Sequence, residues 1–117
     1  MNEKKKKDRA EKERMKGNEA IKSKDYDEAI SYYSRSIDLD SSMHQSYANR
    51  ALAYLKKKGT SFAILEFPKC IEDCDRALAI DKNYTKAWHR KGKALVGLST
   101  YFTMQSGKWR GTSATRR

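Results

Sequence analysis

Three small residues, Gly17, Ala51 and Gly92, recur in similar settings along this 117-residue chain, 34 and then 41 positions apart. Each opens a short stretch rich in apolar residues: Gly17-Asn18-Glu19-Ala20, Ala51-Leu52-Ala53-Tyr54 and Gly92-Lys93-Ala94-Leu95. A second pattern is Tyr26-x-x-Ala29-Ile30 followed by Ile37-Asp38-Leu39-Asp40. It returns 41 positions later as Phe67-x-x-Cys70-Ile71 followed by Leu78-Ala79-Ile80-Asp81. One segment type, A, therefore repeats at 34 and 41, and another, B, at 41. The intervals agree if the unit is 34 residues long and seven extra residues, Gly59 to Leu65, lie between the second A and the second B. Periods of roughly 20–50 residues mark stacked units, each too small to bury its own apolar face.

Within each segment the spacing is helical. Ala29, Ile30, Tyr33, Ile37 and Leu39 step by three or four in the first B segment. In the last A segment Trp88, Gly92 and Leu95, with Ala94 and Leu98, predict one buried face. Asp25 followed by Glu28 forms a capping box at the start of the first B segment. Small residues are required where two helices of a unit cross, because a side chain larger than Ala or Cys would hold the backbones apart. One proline and six glycines in the whole chain suit helices joined by short turns. The predicted helices are A1 over 10–23, B1 over 26–39, A2 over 44–57, B2 over 66–80 and A3 over 85–98.

This organisation divides the chain into three parts. Residues 1–9 form a basic extension and 99–117 a basic, flexible tail. Residues 10–98 form the repeat domain: 10–43, then 44–84 with the insertion near 59–65, then a partial unit over 85–98. Ser99 to Gly107 lacks the Ala-Ile pair and the acids that a third B helix needs, and Phe62, Ile64 and Leu65 are apolar for a loop. These two departures suggest a variant or truncated product of a larger repeat protein. They also predict an apolar side left open on A3 and easy proteolysis near Leu98.

The 34-residue period, the small residues, the aromatic ahead of Ala29 and Cys70, and the closing Asp40 and Asp81 together resemble the tetratricopeptide repeat. The resemblance covers residues 10–98. It implies an all-α, right-handed solenoid of about two and a half helix-turn-helix repeats, with A helices lining a concave groove and B helices forming the outer wall.

Charge divides along the same line. A1 carries a net +1, A2 through Lys58 +4 and A3 +4, whereas B1 carries −2 and B2 through Asp81 −3. If A helices line the groove, a basic cradle is backed by an acidic shell, and a cleft of one sign concentrates ligands of the other. The whole chain is +11, of which residues 1–9 supply +3 and residues 99–117 supply +4. Tails of this kind leave a nucleic-acid binder as one alternative.

Arg14 and Asn18 lie one turn apart on A1, and Lys86 and Arg90 one turn apart on A3. Asn49 on A2 is the equivalent of Arg90, and Lys56 lies two turns beyond it. Counted from the small residue of each unit, these positions fall on one helical stripe. Cationic N–H donors and amide NH2 groups match carboxylates in charge and in hydrogen bonding. The set resembles the dicarboxylate clamp of co-chaperone tetratricopeptide-repeat domains, whose pattern is Lys, Asn, Asn, Lys, Arg. Asn18, Asn49, Lys86 and Arg90 match, and Arg14 stands at the first lysine, where a planar guanidinium replaces a compact ammonium. The resemblance implies an adaptor or co-chaperone module. Its implied partner is the acidic C-terminal Glu-Glu-Val-Asp of cytosolic heat-shock chaperones of the ninety- or seventy-kilodalton class, with Lys56 as an auxiliary contact. A repeat scaffold that reads no C-terminal carboxylate is the other alternative.

Other chemistries find no residues. Cys70 and Cys74 are one turn apart, but neither His44 nor His89 shares their segment and zinc usually takes four ligands; they read as packing residues. No base or nucleophile pair, no phosphate-binding glycine loop and no small-molecule site stands out, so no enzyme, metal or cofactor is expected. Tyr32, Tyr33, Tyr47, Tyr54 and Trp88 sit at helical intervals and read as packing rather than as a base-stacking set. No stretch reaches the ~18 apolar residues of a membrane span. The charged start, Met1 to Arg9, is unlike a secretory signal, and two cysteines fit a reducing compartment, the cytoplasm or also the nucleus.

Overall fold

The computed structural model describes the backbone of residues 2–57 and 63–114, and the side chains of residues 2–57 and 66–106. The described residues form five helices: α1 (Glu3–Lys22), α2 (Tyr26–Leu39), α3 (His44–Lys56), α4 (Ala63–Ile80) and α5 (Thr85–Ala114). They pack in sequence, α1 on α2, α2 on α3, α3 on α4 and α4 on α5, with lighter contacts of α3 to α1 and to α5. The fold is all-α and comprises about two and a half helical hairpins.

Helix boundaries follow local chemistry. Asn2 caps α1, its Oδ1 accepting the Lys5 N–H at 2.8 Å, and Glu3 meets the positive end of the helix. The first residues thus extend the helix predicted over 10–23 instead of forming a separate arm. At the other end Lys24 adopts φ 61°, and the Lys24 and Asp25 N–H groups donate to the Ile21 and Ala20 carbonyls at 2.9 Å each. That is a left-handed helix stop made with lysine where glycine would cost less. The Glu28 N–H donates to Asp25 Oδ1 at 3.2 Å, so one half of the predicted capping box is present. Asp40 and Asp81 build the same turn 41 residues apart: Asp40 Oδ1 accepts the Ser42 N–H at 3.0 Å, and Asp81 Oδ1 the Asn83 N–H at 3.1 Å.

Two helices run further than their sequence pattern. α4 begins at Ala63, three residues ahead of the range 66–80, and so takes part of the seven-residue insertion into its first turn; Gly59 to Phe62 lie outside the described residues. α5 passes Leu98 and continues to Ala114, so the segment expected as a flexible tail is helical up to that residue. Residues 98–106 contain no glycine or proline to stop it.

The core is built from small side chains, which lets the helices approach closely. One cluster joins Ala20, Ala29, Tyr33 and Ala53; the other joins Tyr47, Ala48, Ala51, Cys70, Cys74, Ala77, Leu78, Ala87 and Ala94. Both cysteines are free and buried. Two buried polar links cross the helices. Ser36 Oγ donates to the Ala10 carbonyl at 2.8 Å and lies 2.6 Å from Ser46 Oγ. Arg50 makes two bonds of 2.8 Å to Asp73 and a third of 3.0 Å to Ser34.

The apolar side of A3 is left open among the described residues, as the missing B pattern after Leu98 predicts, so the burial that its spacing predicts is not met. Trp88 and Leu95 remain 54% and 48% exposed, Gly92 is exposed, and of that set only Ala94 is fully enclosed. Periodicity marks which face of A3 is apolar. It does not supply the helix that would cover it.

Candidate functional site

Asn18 is the centre of the polar cluster on the A helices. Its Oδ1 accepts the Tyr33 hydroxyl at 2.6 Å and the Asn49 Nδ2–H at 3.1 Å. With two donors on the oxygen, the amide is fixed and its NH2 group is turned away from Tyr33 and Asn49. Asn18 and Asn49 come from different repeats, 31 residues apart, and meet because α1 and α3 lie side by side.

Two guanidinium groups lie near the Tyr33 hydroxyl that holds Asn18. Both Arg14 and Arg90 act electrostatically on the Tyr33 hydroxyl. Burial pushes the Tyr33 pKa up to about 12, the two arginines opposing that rise. Tyr33 is therefore a protonated donor throughout the physiological range. Arg90 is half-buried, and its Nη1 donates to the Ala48 carbonyl at 2.8 Å, the residue next to Asn49. Burial pulls its pKa below the ordinary guanidinium value, the mark of a cation stripped of some of its water. Arg14 is held on its own helix by Glu11, through Nη2 to Oε1 and Nε to Oε2, the latter at 3.3 Å. Its charge is thus partly spent before any ligand arrives.

Lys86 and Lys56 behave differently. Both are exposed, and neither forms an ion pair or side-chain hydrogen bond among the described residues. Lys86 sits one turn before Arg90 on α5. Lys56 lies on the rim of a groove of about 440 Å³ between α3, α4 and α5, whose apolar floor is Leu52, Leu55 and Phe67 and whose walls include Arg90, Lys93 and His89. The cluster around Asn18 therefore opens beside a pocket with an apolar base and a cationic rim.

Sequence reasoning missed three parts of this arrangement. Tyr33 reads as packing, yet its hydroxyl orients Asn18. Phe67 reads as a repeat landmark, yet it floors the groove and presses on Gly97, where a β-carbon would stand 2.5 Å from the ring. Lys93 was legible, lying three residues beyond Arg90 on the same stripe. His44 stacks edge-on with Tyr84 at 4.6 Å and approaches Asp81 at 3.8 Å. Among the described residues no three His, Cys, Asp or Glu side chains gather as a metal site, and no helix is long and apolar enough to cross a membrane.

The chain is similar in fold and sequence to solved helical-repeat domains. The second TPR domain of Spaghetti (RPAP3), bound to the HSP90 peptide SRMEEVD, superposes with a TM-score of 0.75 at 33% identity. The match covers 84% of this chain and 83% of that one. The TPR domain of Arabidopsis OM64 superposes with a TM-score of 0.72 at 32% identity, over 82% of this chain and 74% of that one. This chain belongs to the tetratricopeptide-repeat family. A curated relative, the heat shock protein sti1 homolog of Schizosaccharomyces pombe, is 40% identical over 91 residues, which is 78% of this chain. The tetratricopeptide-repeat chain spans 14% of that relative's length. No protein-family profile matches it.

Proposed function

We propose that this tetratricopeptide-repeat chain is an adaptor module that docks the acidic C-terminal peptide of a cytosolic heat-shock chaperone in a basic groove, without catalysis. The single observation that carries the reading is the meeting of Asn18 and Asn49 at 3.1 Å, with Arg90 bonded to the Ala48 carbonyl next to Asn49. Further support comes from the HSP90 peptide carried by the Spaghetti domain. Asn18, Asn49, Lys86, Arg90 and Arg14 hold the terminal carboxylate and the adjoining acidic side chain, and Lys56 meets a second acid upstream. An apolar residue of the peptide enters the groove floored by Leu52 and Phe67.

The magnitudes are adequate. A charge-assisted hydrogen bond contributes about 1.5–3 kcal/mol, and micromolar affinity needs about 8 kcal/mol. A few such bonds and one side-chain pocket reach that level after ordering costs. Glu11 lowers the affinity, because the ligand competes with it for Arg14.

The test is a calorimetric titration with an acidic heptapeptide ending in a free Asp, against its C-terminally amidated twin. Micromolar binding of the free acid and at least tenfold weaker binding of the amide are expected. Lys86→Ala is the cleanest variant because that side chain supports nothing else among the described residues: affinity should fall about fivefold with no change in melting temperature. Equal binding of the two peptides would sink the proposal.

A further inference from the structure

The first helix has a second polar face, turned away from the carboxylate groove. Lys5, Arg9, Lys12 and Lys16 step by four, three and four, so they fall on one stripe of α1 within about 60° of one another. All four are exposed, and Lys5, Arg9 and Lys12 enter no ion pair or side-chain hydrogen bond among the described residues. α2 adds a fifth base at the same edge. The Tyr32 ring is faced by Arg35 at 4.9 Å and by Lys16 at 5.9 Å, which holds the two cations near each other. Glu13 approaches both of them at 3.7 Å and Asp8 borders the stripe, so five bases stand against two acids. Arg14 and Asn18 leave α1 on its opposite side, which makes this face and the groove separate surfaces.

The make-up of the face limits what it can hold. Met15 is the one exposed large apolar side chain of α1 among the described residues, and it lies about a quarter-turn off the stripe. The small apolar positions of the helix, Ala10, Gly17 and Ala20, are buried. A helix lying in a membrane interface needs an apolar face to insert. Protein interfaces are anchored by aromatic and apolar side chains at their centre, and the one ring here, Tyr32, is already occupied by its two cations. What fits is a ligand held through charge alone. Lys5 and Lys16 are eleven residues apart, or about 16 Å of helix. Each strand of a duplex carries one phosphate per about 3.4 Å of axis, hence about five over that length. The number of bases on the face is the same.

We propose that the outer face of α1 binds the phosphate backbone of duplex nucleic acid, with Lys5, Arg9, Lys12, Lys16 and Arg35 as the phosphate contacts. The binding is independent of base sequence, and it leaves the groove on the other side of α1 free for a peptide. It does not rest on the peptide reading, and neither outcome for the peptide decides it.

The probe is a short labelled duplex of mixed sequence, as DNA and as RNA, titrated by fluorescence anisotropy with the full chain. The four bases of the tail are neutralised in this background by Lys108→Gln, Arg110→Gln, Arg116→Gln and Arg117→Gln. Saturable binding of either duplex is expected, with log K falling against log salt at a slope between about −4 and −5 from about 50 to 200 mM. Arg9→Gln with Lys12→Gln should weaken binding at least tenfold and make the slope shallower by about 2. Their melting temperature should be unchanged, since both side chains are exposed and unpaired. Lys56→Gln with Lys86→Gln, on the groove, should leave duplex binding within about twofold of the parent, each being remote from the contacted strand. Absence of saturable binding to both duplexes at the lowest salt, or binding indifferent to Arg9→Gln with Lys12→Gln, overturns the proposal. So does displacement of the duplex by polyglutamate or by phosphatidylserine vesicles at equal concentration of negative charge, which would make an acidic protein or a membrane the occupant.

Discussion

Gly17 and Gly92 hold the same place in the first and third A helices, and their surroundings are opposite. At Gly17 the Tyr33 ring lies so close that a β-carbon would be 2.5 Å away; at Gly92 a β-carbon would meet no described atom within 4 Å beyond its own stretch of helix. The first glycine is demanded by packing, because Tyr33 is itself buried and tied to Asn18 and cannot retreat. The third, in this chain, is demanded by nothing that the described residues contain. Identical register in a repeat therefore fixes the type of contact a position can make, while the presence of a partner depends on where the chain goes next.

The comparison can be broken by giving both glycines the same substitution. Gly17→Ala gains about 1 kcal/mol of helix propensity but drives a methyl into an immobile ring, at a typical cost of up to about 3 kcal/mol. A net loss of about 2 kcal/mol, or a melting temperature lower by roughly 10 °C, is expected in thermal unfolding. Equal stability would mean that Tyr33 can move and that the first repeat is as loosely closed as the third.

A smaller effect comes from pH. The folded-state pKa of Tyr33 is raised to about 12 from a model-compound value of 10.0. Its contribution is thus complete below pH 10 and is lost as pH rises toward 12. About 1–2 kcal/mol should disappear over that window in the parent chain. In Tyr33→Phe, chemical denaturation should show a shallower alkaline decline, and peptide affinity should drop severalfold because Asn18 is no longer held. An unchanged alkaline slope would remove Tyr33 from the account.

The smallest effect is expected at the open end. Gly92→Ala should stabilise the chain by about 0.5–1 kcal/mol, from helix propensity alone. A destabilisation would reveal a neighbour at Gly92 in solution and would remove the contrast with Gly17.

Much of the fold was legible because its signals are local. The caps at Asp25 and the Asp40 and Asp81 turns act over two or three residues, and α2 begins and ends where its pattern does. The stretches that escaped are those with weak local signals. Residues 99–106 have neither an apolar period with acids nor a stop, so they read as a tail, whereas an existing helix needs only one more hydrogen bond for each added residue. The candidate site was legible as far as helical stripes allow: Asn18, Asn49 and Arg90 share a stripe, and Asn49 meets Asn18 while Arg90 bonds the carbonyl next to Asn49. The engagement of Arg14 by Glu11 follows from their i, i+3 spacing, which a stripe of cations and amides does not weigh.

Amino-acid order alone settled the 34-residue unit, the small crossover residues and the separation of bases onto A helices from acids onto B helices, because these are periodic properties of neighbouring turns. Tertiary structure decided that Tyr33 locks Asn18 and that Asn49 reaches across 31 residues to the same oxygen. Those outcomes depend on which helices lie against one another, which a repeat period does not specify.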